Sequence, residues 1–198
     1  MNIDLLIPKK PKQKRSLDRY EKILRTSEKI LIEEGVHGLT IQKVAKKAKM
    51  KRPSLYKLFP SAAAILFALS DKHAKKFASL FLNNTKNTEI QTLSWYFNLF
   101  IDLICIYLNQ NKEASVLFFS LESFLTLETT NQQNKKLLSS VILQVLSSKK
   151  INVNADKVYI ASQICLAVLL VGFREENYIS PKYVVEAKKA VLAYLSST

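Results

Sequence analysis

Between Gly35 and Ser70 the chain carries seven basic residues, Lys43, Lys46, Lys47, Lys49, Lys51, Arg52 and Lys57, and no acidic one. A solvated helix face ordinarily mixes signs. A one-signed stretch of this length points instead to phosphate contact, in which neutralised phosphates release their counterions. Arg52 adds a planar fork that matches the two acceptors of guanine. Lys57 adds a point charge beside the hydroxyl of Tyr56. The excess charge is concentrated: residues 1–70 hold 16 Lys/Arg against 6 Asp/Glu and residues 71–198 hold 14 against 10, within a formal net charge of +14. Such a field implies a polyanionic partner, nucleic acid or an anionic membrane surface; the bland alternative is a merely soluble basic surface.

Residues for other chemistry are missing. The sequence has no glycine-rich phosphate loop, no nucleophile elbow and no cluster with metal-ligand spacing. His37 and His73 are isolated, and His73 has no second donor at i±4, so it reads as a packed or surface residue rather than a ligand. The expectation is a protein that is not an enzyme and needs no cofactor or metal. Cys105 and Cys165 sit in apolar stretches without CxxC spacing or a neighbouring histidine. They read as buried free thiols in a reducing compartment, with a disulfide between them as the alternative. No signal peptide is visible, and the apolar segment Val158–Phe173 falls short of the ~20 residues that span a bilayer, so a cytoplasmic protein without a membrane partner is expected.

Helices must position these groups. The chain has three glycines, and no proline lies between Pro60 and Pro181, too few turn residues for a strand-rich fold. Pro8, Pro11 and the run Lys9–Arg15 read as a flexible basic arm, residues 1–15. Ile23, Leu24, Ser27, Ile30 and Leu31 share a helical face, with Ser16 as N-cap and Gly35 and Gly38 ending the helix. Residues 40–59 then read as two short helices. Thr40 caps the first, whose apolar face is Ile41, Val44, Ala45 and Ala48; a turn follows at Lys49–Met50. Pro53 suits the first turn of the second, which would bury Leu55 and Phe59 and expose Arg52, Ser54, Tyr56 and Lys57. Lys51 stands where a capping Ser, Thr, Asp or Asn is preferred and brings charge to the wrong end of the helix dipole, a misfit that marks a functional position.

These residues resemble the DNA-binding domain of the TetR family. The marks are Ile23-Leu24, Glu34-Gly35, Leu39-Thr40-Ile41, Val44-Ala45, Ala48, Ser54-Leu55-Tyr56, Phe59, Ser61 and Ile65-Leu66. Lys49, Met50 and Lys51 stand where the family usually has Gly, Val and Ser, and Ala62 and Ala63 where it often has Lys and Glu. The resemblance implies an all-α protein: a DNA-binding head, residues 16–62, with its helix-turn-helix at 40–59, and a helical effector-binding and dimerisation body, residues 63–198. It implies a DNA-facing set of Thr40, Gln42, Lys51, Arg52, Pro53, Ser54, Tyr56 and Lys57. In that set Thr40, Tyr56 and Lys57 would hold phosphates, while Arg52, Pro53 and Ser54 would read bases. Tyr56 has the plainer reading of a half-buried aromatic. The partners implied are a palindromic operator, a second copy of the chain and a small-molecule effector, and the function is that of a transcription regulator, a repressor released by its effector. A non-specific architectural DNA-binding protein is the alternative.

In the body, Ser61 should cap a helix carrying Ile65, Leu66, Leu69, His73, Phe77 and Leu80 on one face. Further turns are expected at Asn83–Thr88, Asn109–Lys112, Glu128–Gln133, Lys149–Asn154 and Glu175–Pro181. Residues 89–128 are rich in aromatics, including Trp95, Phe118, Phe119 and Phe124. In Thr92–Leu108 the polar exceptions Ser94, Asn98, Asp102 and Cys105 form one stripe, which faces either solvent or a cavity. The candidate effector pocket is Trp95, Asn98, Asp102, Phe118 and Phe119, for a largely apolar ligand. Ala161, Cys165, Val168 and Gly172 make a stripe of small residues, and Val184, Ala187, Val191 and Leu195 an apolar face. Both could be plain core, and the resemblance suggests instead that they pair across a dimer.

Overall fold

A computed structural model describes residues 7–120 and 128–197. Among them are nine α-helices and no strand: α1 Lys14–Glu34, α2 Ile41–Lys47, α3 Arg52–Tyr56, α4 Ala62–Thr85, α5 Leu93–Gln110, α6 Lys112–Ser120, α7 Glu128–Ser148, α8 Ala155–Glu176 and α9 Pro181–Ser196, with one 3-10 turn at Val36–Gly38. The all-α expectation is met. Caps set most of the boundaries. The Thr40, Ser61 and Thr92 hydroxyls accept the backbone N–H of Lys43, Ala64 and Trp95 at 3.2, 3.1 and 3.2 Å. Asn154 Oδ1 accepts from the N–H of Asp156 at 2.7 Å. Two expected boundaries are corrected. α1 begins at Lys14 behind Gln13, so Ser16 lies inside it and the last two residues of the basic arm are helical. Residues 128–133 are the first turns of α7 rather than a turn between helices. Phe124 lies outside the described residues.

The chain divides into two compact units, residues 1–73 with 112–130 and residues 74–111 with 131–198. The first unit is built around Tyr20, Ile23, Leu24, Ile30 and Leu31 of α1, Ile41, Val44 and Ala45 of α2, Leu55 of α3, Phe59 of the connection that follows it, Ile65 and Leu69 of α4, and Leu117 of α6. The short helices are held by this burial, since five or seven residues are far below the ~12–15 an isolated helix needs. In the second unit Phe77 and Phe81 of α4 meet Phe100 of α5 edge-on, with ring centroids 5.3 and 5.6 Å apart. The Asn109 side chain exchanges two hydrogen bonds with the backbone of Ile179, 2.9 and 3.0 Å, fixing the end of α5 to the α8–α9 connection. Lys149 Nζ donates to the Thr88 carbonyl at 2.6 Å.

The stripe of small residues on α8 is turned into the second unit, and at Gly172 it meets the chain's own last helix. Ala161, Cys165 and Gly172 are buried, and a Cβ on Gly172 would lie 2.6 Å from the Tyr183 ring of α9. Three of its four residues are thus core within one chain, in line with the plain-core reading, and Val168 is half-buried. α8 is also longer than its apolar segment suggested: at 22 residues it is long and apolar enough to cross a membrane. Its Val158, Ala161, Cys165 and Leu169 are packed inside the second unit. The stripe on α5 splits, with Ser94 exposed, Asn98 and Asp102 half-buried and Cys105 buried.

Both cysteines are free. Burial, with the nearby Asp102 carboxylate, pushes the Cys105 thiol up to about 12, and burial pushes Cys165 well above its usual range. Neither is a thiolate near neutrality. Both should therefore resist iodoacetamide at pH 8 in the native protein and react only on unfolding, which mass spectrometry of alkylated peptides checks. Gly172→Ala should destabilise by about 1–3 kcal/mol through overpacking against Tyr183, read as a lower midpoint in thermal unfolding.

Candidate nucleic-acid interface

The candidate interface lies on α2 and α3. α1 ends at Gly35, whose φ of 67° is open to glycine without a Cβ penalty, and the 3-10 turn delivers the chain to Thr40. α2 ends in a Schellman motif. The Met50 N–H donates to the Ala45 carbonyl at 2.9 Å and the Lys49 N–H to that of Lys46 at 3.1 Å. The pivotal residue, Lys49, sits at φ 53°, the left-handed region where glycine is at ease. The family pattern has glycine at this place; here a lysine adopts the same turn and adds a charge.

α3 starts behind Lys51, whose side chain makes no capping bond, with Pro53 in the first turn. Its inward residue Leu55 and the following Phe59 are fully buried, as the sequence indicates. The Phe59 ring stacks on Tyr20 of α1 with centroids 4.6 Å apart, pinning the exit of α3 to a helix of the first unit's core. The other side of α3 is open. Arg52, Pro53 and Lys57 are exposed, Ser54 is half-buried, and Tyr56 is 46% exposed, which suits either a half-buried aromatic or a hydroxyl presented to a partner. Thr40, Gln42 and Arg52 line one shallow groove with Lys46 and Met50. The hydroxyl of Thr40 is already the cap of α2. The backbone N–H of Lys9, in the basic arm, donates to the Leu58 carbonyl just after α3 at 2.8 Å.

The one-signed basic stretch is partly compensated by residues just outside it. Lys43 pairs with Glu34, and Lys47 with Glu33 and, at 3.9 Å, with Glu34, all from the end of α1. The Lys43 hydrogen bond holds the Glu34 carboxyl below its usual range, and the Glu33 bond raises Lys47. These pairs are largely exposed and individually weak. They brace α2 on α1, while Lys46, Lys49, Lys51, Arg52 and Lys57, on the two short helices and their flanks, are exposed, with no ion pair among the described residues.

The effector-pocket residues fall in both units: Trp95, Asn98 and Asp102 in the second, Phe118 and Phe119 in the first. Asp102 is engaged by Lys188 of α9 at 2.6 Å, an ion pair the sequence did not suggest. Two buried polar atoms of the second unit, Tyr96 Oη and Asn98 Oδ1, have no hydrogen-bond partner among the described residues. Tyr96 went unsingled in the sequence because its apolar neighbours on α5 mask its hydroxyl. A separate group in the first unit was also illegible: Glu28 of α1, His73 of α4 and Glu113 of α6 bring one donor atom each within 4.8 Å of one another.

Two short helices joined by a tight turn, the first braced on a core helix and the second exposing an Arg, a Tyr and lysines, define a helix-turn-helix DNA-binding head on an all-α fold. Residues 23–69 match the family model of the bacterial regulatory proteins, tetR family. No curated protein matches the chain by sequence. Among solved structures, a TetR-family transcriptional regulator from Streptomyces coelicolor is similar at TM-score 0.70 and 17% identity, covering 91% of this chain and 97% of its own. FadR from Bacillus subtilis, in complex with stearoyl-CoA, reaches 0.64 at 18% identity over 90% and 99%. SmeT, the repressor of the multidrug efflux pump SmeDEF of Stenotrophomonas maltophilia, reaches 0.61 at 18% over 87% and 88%. The chain therefore carries a TetR-type DNA-binding head and has the fold of the TetR-family transcriptional regulators.

Lys49→Gly should remove the left-handed strain and stabilise the protein by about 0.5–1 kcal/mol, while weakening DNA binding through the lost charge. Chemical denaturation and fluorescence anisotropy on the same variant check both directions.

Proposed function

We propose that this chain is a dimeric, sequence-specific DNA-binding transcription regulator, a repressor released from a palindromic operator by a largely apolar small molecule. The observation that carries the reading is the division of α3. Leu55, with Phe59 behind it, is locked in the core, so Arg52, Pro53, Ser54, Tyr56 and Lys57 project from a rigid base. Arg52, at the start of α3, is placed to enter the major groove and pair with guanine; Lys57, at its end, and Tyr56 suit the phosphate backbone. Lys46, Lys49 and Lys51 supply further phosphate contacts, and Gln42 and Thr40 border the same groove.

Dimerisation is supported by a different side of α8 from the one buried against α9. Ile160, Ile164, Ala167 and Val171 follow the i, i+4, i+7, i+11 spacing of one helix face. Ile160 and Val171 are 42% and 47% exposed, and Val185 on α9 is also exposed. An effector is supported by Tyr96 Oη and Asn98 Oδ1, buried polar atoms that leave desolvation uncompensated unless something hydrogen-bonds them. Asp102, neutralised by Lys188, is a weaker handle than those two. FadR and SmeT, named for stearoyl-CoA binding and for repression of an efflux pump, accord with a repressor that answers to an apolar compound.

Arg52→Ala should weaken binding to the preferred site by about 5–150-fold, corresponding to about 1–3 kcal/mol, and leave a scrambled duplex nearly unaffected. Lys57→Ala should weaken both duplexes alike and reduce the salt slope by about 0.9. Equal losses on both duplexes for Arg52→Ala would instead support a non-specific architectural protein. Val171→Glu should turn a sedimenting dimer into a folded monomer at micromolar concentration; a wild type that sediments as a monomer would remove the dimer from the proposal.

A further inference from the structure

We propose that Glu28, His73 and Glu113 form a binding site for a divalent transition-metal ion that ties α1, α4 and α6 together. All three residues belong to the first unit. His73 Nε2 lies 3.5 Å from Glu28 Oε1 and 3.9 Å from Glu113 Oε1. Zinc holds imidazole nitrogen and carboxylate oxygen at about 2.0–2.2 Å, which places neighbouring donors of a tetrahedral shell roughly 3.3–3.5 Å apart. The two histidine–carboxylate spacings are within about half an ångström of that shell, and all three donor atoms lie within 4.8 Å of one another. The imidazole is completely buried, and the two carboxylates are only 17% and 19% exposed. Three rigid helices, rather than one flexible loop, supply the donors.

Electrostatics favours a cation at this place. Two carboxylates that are mostly buried call for a positive partner beside them. The Lys72 ammonium, 2.9 Å from Glu28 Oε1, offsets one of them. His73 Nε2, 3.5 Å from the same carboxylate, is its other partner, and although burial works against the anion the two together hold Glu28 ionised well below the usual carboxylate range, so that it is a ready anionic donor. Lys72 is therefore a competitor for Glu28 as well as a partner, and its long side chain, 23% exposed, can turn to solvent when an ion arrives. One imidazole with two carboxylates is a borderline donor set that suits Zn²⁺, Mn²⁺ or Fe²⁺ over Ca²⁺ or Mg²⁺. Three protein donors leave at least one coordination position for water or an anion.

The ion would act by clamping α1, which carries Tyr20 and Ile23 of the head's core, to the first half of α4 and to α6. The direct test is calorimetric titration of the full chain, freed of metal by chelation, with ZnCl2. One ion per chain at micromolar affinity or tighter is expected. At a hundredfold excess over Kd the unfolding midpoint should rise by about 5–10 °C. Glu113→Gln, which keeps size and hydrogen-bonding shape, should weaken Zn²⁺ at least tenfold while leaving the metal-free midpoint close to that of the wild type. Lys72→Gln should instead tighten Zn²⁺ several-fold by removing the competitor. Absence of saturable binding at about 100 µM, on the order of 5.5 kcal/mol, overturns the proposal, as does binding that Glu113→Gln leaves unchanged.

Discussion

Burial of Leu55 and Phe59 is the constraint on which this structure's DNA-facing surface depends. α3 has five residues, no side-chain cap and two positive charges at its positive end, so nothing local holds it helical. The apolar contact with Tyr20, Ile23 and the rest of the first unit's core supplies what the local sequence withholds. Because the anchors are rigid and inward, the outward residues are aimed by them. Removing either anchor disorders the whole exposed set at once, whereas removing an outward residue deletes one contact.

The same economy governs charge. Seven cations over two short helices would strain the head if all stood alone. Glu33 and Glu34, at the end of α1, bind Lys43 and Lys47 and brace α2, while five cations remain in solvent beside α3. Lys49 shows how far the local structure yields to charge. It holds a left-handed conformation that glycine would take without penalty, and Lys150 does the same in the equivalent cap at the end of α7, where Ile151 N–H bonds the Leu146 carbonyl at 2.9 Å.

What was legible in the sequence was local. Thr40 and Ser61 announce helix starts, Gly35 an end, and the paired periodicities of Ile41–Ala48 and Leu55–Phe59 a helix-turn-helix, because each signal lies within a few residues of its effect. What was not legible joins distant helices. A stripe of small residues on α8 says that something packs closely, but whether that is Tyr183 of the same chain or a second copy is a tertiary fact. Asp102 looked like a ligand handle until Lys188, 86 residues away, took it. His73 showed no donor partner along its own helix, and the carboxylates beside it come from α1 and α6. The start of α1 shows the opposite failure: Ser16 is a good local cap, yet the helix runs through it to Lys14.

The most direct test of the account is selection of duplexes bound by the intact protein from a random DNA pool, followed by sequencing. A rigid α3 presented twice by a symmetric dimer predicts an inverted repeat. Its half-site centres should lie about 34–36 Å apart or a multiple of that, with a guanine in each half-site that Arg52→Ala ceases to require. A pool that returns without an enriched motif, or with a single asymmetric one, contradicts it.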